Sequence, residues 1–262
     1  MMAAAATVNW KGDYAFLLTN LVKRDFKIRY RGMSLGMLWS VVNPLIMMGV
    51  LTFVFTQILP EYSTKKFPVF LMCGLVPFNF FTLSLISATS SLVDSAALIK
   101  RVPFPREVVP VGTVLANSLH FLIQSCLLLG MALVFGVKPG WHWLWLAPVF
   151  LLEIVFACGM GLLFSALNVF VGDVRYVVES ASTLLFWAVP IVYSFELIPH
   201  KFEMFYWYNP LAAVVMATRN ILLDGTAPSA TLLIRLFLCS VFVLILGHRF
   251  FGWVQHKFFD YL

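Results

Sequence analysis

Long uncharged runs separated by short charged turns organise this chain. Leu35 to Leu59 and Phe67 to Val93 contain no charged residue. Val108 to Val137 is also uncharged and carries Asn117, His120 and Gln124 inside it, while Trp141 to Val171 holds a lone Glu153. Tyr176 to Phe195 has Glu179 near its start, and Leu232 to Val254 has Arg235 near its start. A helix rises about 1.5 Å per residue, so roughly 20 apolar residues cross the hydrocarbon of a bilayer. The pattern therefore predicts an all-α integral membrane protein with six transmembrane helices, built as a single domain over 1–262.

The segment between the fifth and sixth runs breaks the pattern. Its apolar core is short and is interrupted by Asn209-Pro210 and Arg219-Asn220. Proline removes a backbone donor and disfavours helix in the residue before it. The expectation is two re-entrant outer half-helices, 197–208 and 210–223, with Pro210 between them. An outer loop lying on the interface is the other reading, and Tyr206, Trp207 and Tyr208 suit either one. Broken backbone is tolerated at membrane depth only where protein or a water-filled cavity satisfies it, so Asn168 to Pro210 reads as part of a pathway.

At the other end, Asp13 to Arg31 is amphipathic. Tyr14, Leu17, Leu18, Leu21 and Ile28 fall near one helical face, and Lys23, Arg24, Lys27, Arg29 and Arg31 cluster toward the C-terminal side. This predicts an interface helix leading into the first span. Its basic end can hold lipid phosphates, or it can act as a topology anchor.

Composition agrees with the patterning. Hydrophobic residues make up 61% and charged residues 11%, against about 25% charged in soluble domains. A net charge of +6 reads as loop orientation and attraction to anionic lipid, not as nucleic-acid binding. With the N-terminus in the cytoplasm, 12 of the 18 Lys and Arg fall inside and 6 outside, which predicts that both termini are cytoplasmic. Cys73, Cys126, Cys158 and Cys239 lie in apolar runs without metal or C-x-x-C spacing, and read as packing residues. No cleaved signal peptide is expected from the first residues.

Three further features bear on chemistry. The turn Asp94 to Pro110, with 94–107 at its centre, carries Lys100, Arg101, Pro103, Phe104, Pro105 and Arg106. A stiff basic hairpin with one exposed Phe suits docking into a partner's groove; a solvated turn is the plainer alternative. Phe53, Phe55, Phe78, Phe80, Phe81, Phe186, Trp187 and Tyr193 lie in or near spans one, two and five. Aromatic faces can stack on sugar rings yet let a polymer slide, though packing explains many of them individually. Glu153, His120, Gln124 and Asn117 are polar groups at depth, which mark functional candidates. No phosphate-binding G-x-x-x-x-G-K-S/T, H-E-x-x-H or G-x-S-x-G motif occurs, so no energy source or active site is visible in this chain. A pump would draw its energy from another chain or from an ion gradient, and a gradient-driven carrier using Glu153 and His120 or a membrane enzyme acting on lipid-linked sugars are the alternative readings.

Five motifs then occur in order: R-Y-R-G-M-S-L-G-M-L-W-S-V-V-N-P-L from Arg29, F-P-V-F-L-M-C-G-L-V-P-F-N-F-F from Phe67, L-N-V-F-V-G-D-V-R from Leu167, P-I-V-Y from Pro190 and Y-N-P-L from Tyr208. Together, over nearly the whole chain, they resemble the membrane subunit of bacterial polysaccharide ABC exporters. These are the type-2 permeases for O-antigen, capsule and teichoic acid, and the likeness is nearest to the O-antigen (Wzm-like) branch. The resemblance implies a homodimer in the bacterial inner membrane with two ABC ATPase subunits. It implies an undecaprenyl-diphosphate-linked glycan as substrate and no cofactor on this chain, with ATP and Mg on the motor. It also implies coupling through Lys100, Arg101, Phe104 and Arg106, and a lipid-head gate at Lys23, Arg24, Lys27, Arg29 and Arg31. Channel aromatics would be Phe53, Phe55, Phe78, Phe81, Phe186, Trp187 and Tyr193, and the outer gate Tyr206, Trp207, Tyr208 and Pro210.

Overall fold

The computed structural model describes residues 13–30, 36–59, 66–102 and 104–261, apart from the side chains of Glu203, Phe205 and Asp260. The described residues form helices and short turns without a strand. In order these are α1 (Tyr14–Tyr30), α2 (Trp39–Phe53), α3 (Phe67–Asp94), α4 (Ala96–Arg101), α5 (Val108–Val134), α6 (Leu146–Phe170), α7 (Val174–Ala188), α8 (His200–Tyr208), α9 (Pro210–Arg219), α10 (Ala230–Val254) and α11 (Phe258–Tyr261). Wider turns extend α2 to Ile58 and α9 to Asp224.

Among the described residues, five helical segments are long and apolar enough to cross a membrane: Gly36–Ile58, Phe67–Asp94, Val108–Val134, Trp141–Phe170 and Ala230–Lys257. The expected fifth run, Tyr176 to Phe195, differs. Its helix stops at Ala188 after 15 residues, about 22 Å of rise against roughly 30 Å of hydrocarbon. The cause is local. Pro190 disfavours helix at Val189, and Val189 is extended, at φ −90 and ψ 138. Val189, Ile191 and Val192 are nonetheless buried, so the chain leaves the helix without leaving the bundle.

The break at Asn209 also has a local cause. The Asn209 side chain accepts from the backbone N–H of Leu211 at 3.0 Å and of Ala212 at 3.4 Å, capping α9. Pro210 takes the first helical position, where its missing N–H is no loss.

α3 is the central strut. It is buried along most of its length and packs against α2, α5, α6, α7 and α9. α6 and α10 approach each other most closely, through glycine. A Cβ on Gly247 would sit 2.2 Å from the Gly159 carbonyl oxygen, so neither position has room for a side chain. A second, smaller core gathers the other end of the bundle: Leu92, Ile99, Phe104, Leu162, Val169, Phe251 and Phe258 bring together α3, α4, α6, α10 and α11.

Candidate functional site

The basic turn around α4 is a short helix clamped onto that second core. Lys100 and Arg101 lie in its last turn and are exposed, while Ile99 between α4's exposed residues is buried. Phe104 corrects the sequence reading. It is only 4% exposed and is an anchor into the chain's own core, so the Phe offered to no groove here. Arg106 likewise turns inward: its guanidinium donates to the Gln255 carbonyl and lies over the Phe259 ring at 4.2 Å. Burial pulls the Arg106 pKa below the usual arginine value. The outward positive charge of this turn therefore reduces to Lys100 and Arg101. Pro103 lies outside the described residues.

The interface helix α1 packs on α5 through a polar seam. Thr113 donates to Asp25 Oδ2 at 2.9 Å, and Arg24 bonds Asp25 and reaches Ser95 Oγ at 3.4 Å. Arg29 reaches Ser87 Oγ at 3.5 Å, and burial pulls its pKa below the ordinary arginine value. Tyr30 meets His120 Nδ1 at 2.8 Å. Gln124 Nε2 donates both to the Ser40 carbonyl and to His120 Nε2, which fixes the proton of a neutral His120 on Nδ1, facing Tyr30. Of the expected lipid-head residues, Lys23 and Lys27 are thus exposed and Arg24 and Arg29 are engaged with the bundle. Arg31 lies outside the described residues. Ile28, assigned by sequence to the apolar face, is 61% exposed in the protomer. An apolar groove of about 560 Å³ runs beside α1, with Leu18, Val111 and Leu244 in its wall and Arg249 at its edge.

The expected channel aromatics divide into two groups. Phe78 meets Phe186 edge-on at 5.6 Å, and Phe81 stacks on Phe156 at 5.4 Å. Both are buried within the protomer, so they are packing residues here and not an open wall. Phe53 and Trp187 are exposed, whereas Phe55, Phe186 and Tyr193 are half-buried. The Tyr193 hydroxyl donates to the Trp187 carbonyl at 2.9 Å and lies 3.1 Å from the Tyr206 hydroxyl. That contact ties the break after α7 to α8. Phe195 meets the rings of Tyr206 and Trp207 edge-on at 6.3 and 5.8 Å. Tyr208 is exposed and Pro210 half-buried.

Sequence reasoning passed over the residue that organises this end. It counted Arg219 as a topology charge, yet Arg219 is 7% exposed. Its guanidinium donates to the Ile191 carbonyl at 2.7 Å and the Tyr193 carbonyl at 3.3 Å. It also lies over the Phe70 ring at 3.5 Å. One side chain of α9 thereby satisfies the non-helical backbone after α7 and presses it against α3. The available signal was an arginine closing the apolar run Leu211 to Thr218, where an unpaired charge is costly.

The family model for ABC-2 type transporters matches residues 17–223, which include most of α1, the α4 turn, the break after α7 and the α8–α9 pair. The chain belongs to the ABC-2 type transporter family. It is similar to the O-antigen export system permease protein RfbA of Klebsiella pneumoniae, 31% identical over 247 residues that cover 94% of this chain and 95% of that protein. A protein of the same name from Myxococcus xanthus is 30% identical over 88% of this chain and 90% of its own length. The polysialic acid transport protein KpsM of Escherichia coli is 25% identical over 87% and 89%.

Membership in the ABC-2 type family makes this chain a transport subunit. Asn117 donates to the Leu83 carbonyl at 3.4 Å. Glu153 is wholly buried in α6, and neither carboxylate oxygen meets a hydrogen-bond partner. The hydrogen bonds of His120 go to Tyr30 and Gln124. Among the described residues, no group of three or more His, Cys, Asp or Glu gathers as metal ligands would.

Proposed function

We propose that this chain is the transmembrane subunit of an ATP-driven exporter that moves a lipid-linked, O-antigen-like polysaccharide across the bacterial cytoplasmic membrane. The observation that carries the reading is likeness along almost the full length of both chains to O-antigen export permeases. Two copies pair as a homodimer above two ABC ATPase subunits, which bind ATP and Mg. Each copy crosses six times, with both termini cytoplasmic. The fifth crossing is α7 continued by the buried turn Val189 to Val192, and α8 and α9 dip in from the outside and return.

The packing supports a route for force. A push on the exposed Lys100–Arg101 face of α4 reaches Ile99 and Phe104, which share a core with Leu92, Leu162 and Phe251. Interiors packed at crystal-like density transmit such displacement instead of absorbing it. The bases of α3, α6 and α10 then move together. At the far end, the same long helix α3 carries Phe70 against Arg219, and Arg219 holds the broken segment beside α8. Exposed Lys23 and Lys27 meet the diphosphate of an undecaprenyl-linked glycan, and the apolar groove beside α1 offers its prenyl chain a place to lie.

The test is to co-purify this chain with its ABC ATPase and to measure ATP hydrolysis and glycan export with Lys100→Glu and Arg101→Glu combined. Assembly and export should both fall at least tenfold. Unchanged export by the double variant removes α4 from the docking site. Transport by the chain in the absence of any ATPase partner overturns the ATP-driven reading.

A further inference from the structure

α2 carries a proline inside it. Pro44 has no N–H, so the carbonyl of Ser40, four residues earlier, loses its helical donor. Ser40 is buried, and an orphan carbonyl in an apolar interior is costly. The missing donor comes from another helix. Gln124 of α5 is buried, and its Nε2 donates to the Ser40 carbonyl at 3.1 Å. The second hydrogen of that amide serves His120 Nε2, one turn back on α5, at 3.1 Å. The other ring nitrogen of His120 meets the Tyr30 hydroxyl at 2.8 Å. A chain of side-chain bonds therefore runs from the first turn of α2, through α5, to Tyr30 at the end of α1.

We propose that His120 is a positioning residue: with Gln124 and Tyr30 it straps the end of α1 to the start of α2, and so fixes the angle at which α1 presents Lys23 and Lys27. The placement of the contacts carries the assignment. Nearer its middle, α1 rests on α5 through Leu21 beside Gly112 and Asp25 against Thr113. Those contacts make a fulcrum and leave the stretch beyond Asp25 to be held separately. Along that stretch Arg29 reaches Ser87 only at 3.5 Å, whereas the bond from Tyr30 to His120 is 2.8 Å. Lys27 stands about 4–5 Å from Tyr30 along the helix axis and moves with it. A space-filling histidine differs in kind. It engages neither ring nitrogen, whereas both are engaged here, one toward α1 and one, through Gln124, toward α2.

That Lys23 and Lys27 meet a diphosphate rests on the function proposed above. The strap itself does not, because it is defined by hydrogen bonds within the chain.

The experiment uses the full chain with its ATPase partner in detergent, with the four native cysteines replaced by alanine. Spin labels at Ile28→Cys on α1 and Leu133→Cys on α5, both exposed, report how firmly the end of α1 is held. Native mass spectrometry with undecaprenyl diphosphate as the probe reports binding, and thermal unfolding reports stability. Tyr30→Phe and His120→Phe each keep a ring and cut the same link. Both should widen the distance distribution and weaken undecaprenyl diphosphate about tenfold, as the loss of one or two neutral hydrogen bonds predicts. Gln124→Met strands the Ser40 carbonyl and should lower the unfolding temperature. Adding Pro44→Ala returns an N–H to that carbonyl. The double variant should then unfold with Pro44→Ala alone and still show the widened distances, a separation that a merely structural Gln124 does not produce. Native-like distances in Tyr30→Phe and His120→Phe, or in the double variant, overturn the strap. Widened distances with native affinity for undecaprenyl diphosphate uphold the strap and remove Lys23 and Lys27 from the lipid site.

Discussion

Arg219 illustrates how one side chain sets local structure in a membrane bundle. Pro190 ends α7 and leaves the following carbonyls without helical partners, which would be expensive in an apolar interior. Arg219 answers two of those carbonyls with charge-assisted bonds, and its cation is attracted to the face of the Phe70 ring. Bonds to a charged donor contribute about 1.5–3 kcal/mol each. Arg219→Met keeps the bulk of the side chain but removes the donors, so it should destabilise the chain by about 3 kcal/mol. Arg219→Lys should fall between, because an ammonium can reach the carbonyls but has no planar fork to serve both while stacking on a ring. Thermal unfolding in detergent, followed by circular dichroism, gives the order directly; a Met variant as stable as the native chain would remove Arg219 from this role.

At the scale of elements, the closest helix pair is decided by glycine. Gly159 and Gly247 let the α6 and α10 backbones touch, where any Cβ would collide with a carbonyl oxygen or main-chain nitrogen. Close approach of this kind drives helix association where no hydrophobic force is available. Gly247→Leu should therefore separate α6 from α10, cost several kcal/mol by overpacking and abolish export. Gly252→Ala on the same helix meets open space and should be neutral or stabilising by about 0.5–1 kcal/mol, through lower backbone entropy in the unfolded chain. Unfolding temperatures of the two variants, measured side by side, check both expectations. The sequence marks both residues only as glycines within apolar runs. What distinguishes them is the neighbour across the interface, 88 positions away.

For the whole molecule, the parity of crossings decides which loops share a side. Among the described residues five helices are long enough to cross, and a sixth crossing depends on α7 with the buried turn that follows it. Six crossings put the turn after α4 and the end of α10 on one side, with the loop before α10 opposite. Five put the end of α10 on the other side. Single cysteines at exposed Val102, Thr226 and His256, in a chain whose four native cysteines are replaced by alanine, separate these cases. An impermeant thiol reagent applied to intact cells should label Thr226→Cys alone. Val102→Cys and His256→Cys should react only after lysis. Labelling of His256→Cys in intact cells would remove the sixth crossing.

The class of the protein was legible in its sequence because a bilayer imposes a single requirement on every segment it contains. Apolar runs of sufficient length must be helical, so Phe67 to Val93 and Leu232 to Val254 were readable as crossings, and Pro210 as the start of a new helix. The same reasoning could not orient side chains within a run. Whether Phe104 faces out or in depends on Leu92, Leu162 and Phe251, residues from three other helices. Whether Arg219 is a surface charge or a buried clamp depends on carbonyls 26 and 28 positions earlier, and the Tyr30–His120 contact spans 90. Local sequence fixes backbone propensity and the break points between helices. Only packing decides which face of each helix meets a partner, because the energy of a buried charge or ring belongs to the pair and not to the residue.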